Sequence, residues 1–190
     1  MVGRCVGFNI IAVIMALAHG PLVHAQTGAS RWVTTWATSQ QGLGQSVVAD
    51  ATVRLVARVT AGGDSIRIRL DNGYGTEPLQ IGAASIAHRM RGADLIPGTN
   101  HSLRFGGNHS VTILPGASVQ SDPVPLPVLA RQDLAVSLYL PGVDVRPSVH
   151  RGALVTSYVS ADGVGDLTGE EARSGFTTTM TSMWWLKSID

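Results

Sequence analysis

The chain has 190 residues, of which 14 are Lys or Arg and 13 are Asp or Glu, for a formal charge of +1. With both signs scattered and no polybasic run, nucleic acid and anionic membrane are poor electrostatic partners. The single cysteine, Cys5, excludes a disulfide framework, so a fold of this size has to rest on a hydrophobic core.

The N-terminus, MVGRCVGFNIIAVIMALAHGPLVHAQ, places an arginine ahead of an apolar run from Val6 to Ala18 and closes on Val23-His24-Ala25. That is the layout of a secretory signal peptide, residues 1–25, with Gln26 as the mature N-terminus. The apolar run is well short of the roughly 20 residues that span a bilayer, so no membrane anchor is expected. Export removes Arg4 and Cys5, leaving a cysteine-free chain with basic and acidic residues in equal number. Residues 26–190 are expected to form one domain of a secreted protein, extracellular or periplasmic.

Beyond that point apolar and polar residues alternate with a period of two, the pattern of half-buried strands. The runs are Arg31–Thr38, Thr52–Thr60, Ser65–Leu70, Leu79–His88, Ser102–Phe105, Ser110–Leu114, Leu134–Leu140, Leu154–Ser160 and Phe176–Leu186. Gly, Pro, Asn or Asp punctuates most intervals, and the best helical candidate, Gly169–Arg173, is barely one turn. An all-β domain follows, and many short strands without an internal repeat favour a two-sheet antiparallel β-sandwich, jelly-roll-like.

Pro123, Pro125 and Pro127 alternate with Val124, Leu126 and Val128. Every missing N–H then lies on the same side, which marks an edge strand blunted against further pairing. In the last run, alternation puts Phe176, Met180, Trp184 and Leu186 on one face and Met183 with Trp185 on the other. Two-sided apolarity there implies cover from a partner domain.

Gly63-Asp64-Ser65-Ile66 matches the block around the nucleophile of GDSL-type esterases. Chemistry requires more than the tetrapeptide: a serine on a tight turn after a buried strand, with helix N–H groups for the oxyanion and a histidine to take the proton. Ser65 instead precedes its strand and follows the Gly62-Gly63 turn, so a hairpin between Arg58–Gly63 and Ser65–Leu70 is expected, with Asp64 and Ser65 as turn residues. An Asp-x-x-His segment is missing as well: His88, His101, His109 and His150 are preceded three residues earlier by Ser85, Gly98, Gly106 and Pro147. Ser65 is therefore read as a lookalike, and no catalytic residue is assigned.

No cofactor is expected. Metal binding has no support either, because His101 and His109 lack neighbouring ligands at metal-site spacing. Trp32, Trp36, Trp184 and Trp185 could offer a glycan platform, but in a chain with only 3 Tyr and 3 Phe besides, core filling is the expected use for at least three of them. Candidate binding or interdomain residues are Asp71, Asn72 and Tyr74 in the loop that closes at Gly75, together with His150 and Trp185. Asn72-Gly73 is also a tight-turn pair, and His150 could serve only its own loop.

The stretches WVTTWATS, TVRLVARVTAGGDSIRIRLDNGYGTEPLQIGAASIA, LRFGGNHSVTILPGASVQSDPVPLPV and LAVSLYLPG, then His150 with Ser157-Tyr158-Val159, share order and spacing with one family. From about Trp32 to Asp190 the chain resembles the N-terminal β-sandwich region of two-domain, secreted SGNH/GDSL-type hydrolases. The resemblance implies that the true Gly-Asp-Ser-Ile/Leu block comes after a segment like WWLKSID, in a C-terminal SGNH catalytic domain beyond residue 190, and that the substrate is an ester. This chain would then be an accessory domain, present as a fragment or truncated product. Two alternatives stand beside it: a free-standing carbohydrate-binding module with a glycan ligand, and a small esterase using Ser65.

Overall fold

A computed structural model describes residues 1–3 and 31–190. Apart from its first three residues, the expected signal peptide lies outside the described residues. The unit from Trp32 to Asp190 is compact and built from short antiparallel strands. In chain order these are β1 (Trp36–Ala37), β2 (Gly42–Leu43), β3 (Ala51–Arg58), β4 (Ile68–Asp71), β5 (Leu79–Ile81) and β6 (Ala83–Arg91). Next come β7 (Asp94–Leu95), β8 (His101–Ser102), β9 (Val111–Ile113), β10 (Ser118–Gln120) and β11 (Asp133–Leu140). The last five are β12 (Ser148–His150), β13 (Ser157–Ser160), β14 (Phe176–Met180), β15 (Met183–Trp184) and β16 (Leu186–Ile189). The helical content of the described residues is a 3-10 turn at Arg173–Gly175, just past the segment where a turn is expected.

The larger sheet runs β14-β13-β3-β11-β6-β7 with β8 also on β6, and a second sheet runs β1-β16-β4-β10. Two smaller ribbons, β15-β12-β2 and β5-β9, complete an all-β antiparallel sandwich. Its long central strands are the ones in which alternation is cleanest. Val53, Leu55 and Ala57 of β3, Leu134, Val136 and Leu138 of β11, and Ala84 and Ile86 of β6 all join the main core. From the opposing sheet, Ile68 and Leu70 of β4 and Leu186 and Ile189 of β16 meet them in that core.

The other face of β3 is buried too, against the expectation of a half-buried strand: Thr52 and Arg54 are both 0% exposed. The segment 165–170 returns over that face and, with Ala93, supplies acceptors to it and to the neighbouring β6. Thr52 Oγ1 donates to Gly165 O at 2.9 Å, Ser85 Oγ donates to Thr168 O at 2.7 Å, and the Arg54 guanidinium donates to Ala93 O at 2.6 Å and to Glu170 O.

The proline-rich segment does not form the expected edge strand: it makes isolated bridges only, and what holds of the pattern is the one-sided pairing and the inward apolar residues. Pro123, Pro125 and Pro127 are exposed while Leu126 and Val128 are buried, and Val124 and Val128 pair on one side with Ile66 and Gly63. The hairpin expected around Ser65 does not form. β3 and β4 belong to different sheets, and the residues between them cross from one to the other while pairing with the proline-rich segment. Leu79–His88 divides at Gly82 into β5 and β6, strands of different sheets. A Cβ at Gly82 would come within 2.7 Å of the Tyr139 ring, so only glycine lets that ring pack at the junction.

Phe176–Leu186 is also not one strand. It breaks at Thr181-Ser182 and again at Trp185, whose φ of 55° leaves the extended region. Met183, Trp184, Trp185 and Leu186 are 0%, 6%, 0% and 0% exposed and lie in this chain's own core. The kink turns what would be a two-sided strand into two short ones that feed one interior, so this apolarity is satisfied without a further domain.

Candidate functional site

Ser65 is exposed on the crossover between the sheets, and no histidine among the described residues is hydrogen-bonded to it. His88 Nε2 contacts Pro127 O at 3.0 Å and His150 Nδ1 contacts Ser39 O at 2.8 Å. The serine–histidine contact present joins Ser102 Oγ and His109 Nδ1 at 3.2 Å across the Phe105–Asn108 turn, both exposed. No carboxylate among the described residues is bonded to that imidazole. The nearby Asp122 instead accepts from Gly106 N at 3.1 Å and Gly107 N at 2.7 Å. A nucleophile, base and orienting acid in series, as ester hydrolysis by serine requires, is therefore not assembled among the described residues.

The loop after β4 is built more tightly than its turn-like sequence implies. Asp71 Oδ1 accepts from Lys187 Nζ at 2.9 Å and Oδ2 accepts from Gly73 N at 3.3 Å. Asn72, 2% exposed, donates through Nδ2 to Glu77 O at 2.9 Å and Ile113 O at 3.0 Å. Its carbonyl accepts from Gly75 N and Gly116 N. A Cβ on Gly75 would stand 1.9 Å from Asn72 Oδ1, so the side-chain clamp requires glycine there.

Ser148 in β12 ties this loop to the C-terminal segment: its Oγ accepts from Tyr74 N at 3.0 Å and its carbonyl accepts from Trp185 N at 3.0 Å. Asp71 N in turn donates to Trp185 O at 2.7 Å. The structure thus brings Asp71, Asn72, Tyr74 and Trp185 into one neighbourhood and leaves the His150 ring on Ser39. Asp71, Asn72 and Trp185 are buried there, and Tyr74 is exposed. Trp185 packs edge-on against Trp184 at 5.8 Å, and its Nε1 has no hydrogen-bond partner among the described residues. Trp36 packs on the core and Trp32 lies under the Arg67 guanidinium at 4.2 Å. No flat row of exposed tryptophans is left for stacking.

Beside this neighbourhood lies a groove of about 350 Å³. One wall is the segment 72–80, held by Asn72; the other is 142–146, the link from β11 to β12; Leu43 of β2 closes the space between them. The second wall is also fixed from behind, by Val48 and Val145 exchanging backbone hydrogen bonds at 3.1 and 2.9 Å and by Asp50 N donating to Gly142 O at 2.9 Å. Charged groups line both walls: Glu77 on the first, Asp144 and Arg146 on the second. These three are absent from the sequence reading. The signal for two of them was present in Pro141-Gly142 followed by Asp144 and Arg146, a break in strand pattern that carries charge where a plain turn needs none.

Among the described residues no group of three or more His, Cys, Asp or Glu side chains is arranged to hold a metal ion. No described helix is long and apolar enough to cross a membrane. What the fold and site define is a β-sandwich with one preorganised, mixed-charge groove and no assembled hydrolytic relay among the described residues. No family model and no curated protein matches the chain.

Proposed function

We propose that this protein is a non-catalytic accessory β-sandwich of a secreted GDSL-like ester hydrolase, in which a separate SGNH domain performs the hydrolysis. The observation that carries the non-catalytic part is the setting of Ser65: an exposed crossover hydroxyl with, among the described residues, no histidine bonded to it and no helix N-terminus behind it. The link to ester hydrolysis comes from the ordered sequence blocks between Trp32 and Asp190. The reading as a carbohydrate module resting on tryptophan stacking loses its basis, since Trp184 and Trp185 are buried and Trp36 packs on the core.

The test is a fluorophosphonate probe with an ester substrate on the purified chain. The accessory reading expects no label at Ser65 and no hydrolysis that Ser65→Ala removes. Stoichiometric labelling of Ser65, abolished by that substitution, would replace it with the small-esterase reading.

A further inference from the structure

We propose that the groove between segments 72–80 and 142–146 is a saccharide-binding site, one that reads ring hydroxyls with charged side chains and receives the C–H face on aliphatic ones. The inference is independent of the accessory-domain reading, because it uses only the walls of the groove. Its volume, about 350 Å³, falls at the lower end of the range of small-ligand sites, roughly 300–1,000 Å³, the scale of a mono- or disaccharide.

Both walls are held by hydrogen bonds within the fold. Asn72 fixes the first through Glu77 O and Ile113 O, and the Val48–Val145 bridge fixes the second. The groups they present are not used up by the fold. Among the described residues neither Glu77 nor Asp144 is in a salt bridge, and neither side chain makes a hydrogen bond. The Arg146 guanidinium makes one long bond, Nη2 to Gln45 Oε1 at 3.3 Å. Asp144 sits at φ 56°, a left-handed conformation that most side chains avoid and Asp tolerates.

The charge pattern selects the ligand class. Two acceptor carboxylates on opposite walls would attract an amine, but Arg146 lines the same wall as Asp144 and opposes a cation. An anion meets the reverse problem, one guanidinium against two carboxylates. A neutral polyol satisfies all three at once, with hydroxyls donating to Glu77 and Asp144 and accepting from Arg146 in charge-assisted bonds, and no ligand charge to desolvate. Leu43, Pro78 and Val145, none of them buried, supply the aliphatic surface for the ring carbons.

The experiment is a titration of the ¹⁵N-labelled full chain with glucose, xylose, cellobiose and N-acetylglucosamine, and separately with n-butylamine, followed by amide shifts at low and high salt. The site predicts that at least one saccharide shifts amides within 72–80 and 142–146, with little dependence on salt. Glu77→Gln and Asp144→Asn, both at exposed positions and near-isosteric, are each expected to weaken that binding about tenfold or more, the loss of a charge-assisted hydrogen bond. Either variant judged alone suffices if the other fails to retain the native amide dispersion. Silence of these loops toward every saccharide, saccharide shifts that survive both substitutions, or a response to n-butylamine alone that salt abolishes would each overturn the proposal.

Discussion

At the scale of single residues, Arg54 is the side chain whose role is hardest to foresee. In TVRLVAR it alternates outward from the apolar face, the ordinary place for a solvated arginine. The structure buries it completely, with Nε donating to Ser137 Oγ at 2.9 Å, the other nitrogens to backbone carbonyls, and the Phe176 ring 4.2 Å from the guanidinium carbon. Burial pushes its pKa down to about 10, against the opposing pull of Asp94 and Glu170. Nothing local in the sequence announces that a segment more than a hundred residues later covers this face. Arg54→Ala strands two buried acceptors, Ser137 Oγ and Ala93 O, and a part-buried one, Glu170 O; at about 1–3 kcal/mol for each buried group, a loss of about 3 kcal/mol or more is expected in urea unfolding. Arg54→Lys keeps the charge without the planar fork and is expected to fall between the two. A change within about 0.5 kcal/mol for the alanine variant, the range of an exposed site, would show that the residue is not buried as described.

Among elements, the long central strands were legible because alternation and core burial coincide in them: β11 matches its expected run within one residue, and β3 within two. The expected proline strand is reduced to two isolated bridges, but its one-sided pairing was legible for a related reason, since a missing N–H constrains pairing. Partner choice was not. Consecutive runs around Ser65 read as a hairpin, yet they separate into two sheets, because pairing is decided by packing between distant segments rather than by local propensity. Of the candidate site, the loop after β4 was found, but as turn chemistry. Its real determinant is the inward Asn72 clamp, invisible without Glu77 O and Ile113 O opposite it. Asn72→Ala is expected to cost about 1–3 kcal/mol through those two carbonyls, and Gly75→Ala to open the same loop by steric conflict with Asn72. Hydrogen exchange should then speed up at residues 72–77 in both variants; unchanged protection there would contradict the clamp.

Asp133 gives the sheet a pH dependence. It accepts from Arg58 Nε of β3 at 2.7 Å and Arg89 Nη1 of β6 at 3.1 Å, and these partners, chiefly the Arg58 hydrogen bond, hold its carboxyl below the ordinary value of 3.8. The native state therefore binds this proton less readily than the unfolded chain does. The contribution is complete above that ordinary value and is lost as pH falls through the lowered one. Asp133→Asn should flatten this part of the acid limb of stability, measured by urea unfolding between neutral and acid pH; an identical limb in wild type and variant would exclude the role.

For the whole molecule, period-two alternation sufficed for the all-β class, but the C-terminal segment shows where pattern reading fails. Apolar residues on both faces of an expected strand pointed to an external partner, whereas the left-handed backbone at Trp185 folds them into this chain's own interior. That burial leaves the ordered family-like blocks, not an uncovered surface, as the support for an associated catalytic domain. The most direct measurement is therefore to read the genomic DNA following the Asp190 codon in all frames. The account predicts a buried-strand pattern, then Gly-Asp-Ser-Ile or Gly-Asp-Ser-Leu opening a helix, and much later Asp-x-x-His. An unrelated gene or long noncoding sequence there would contradict it.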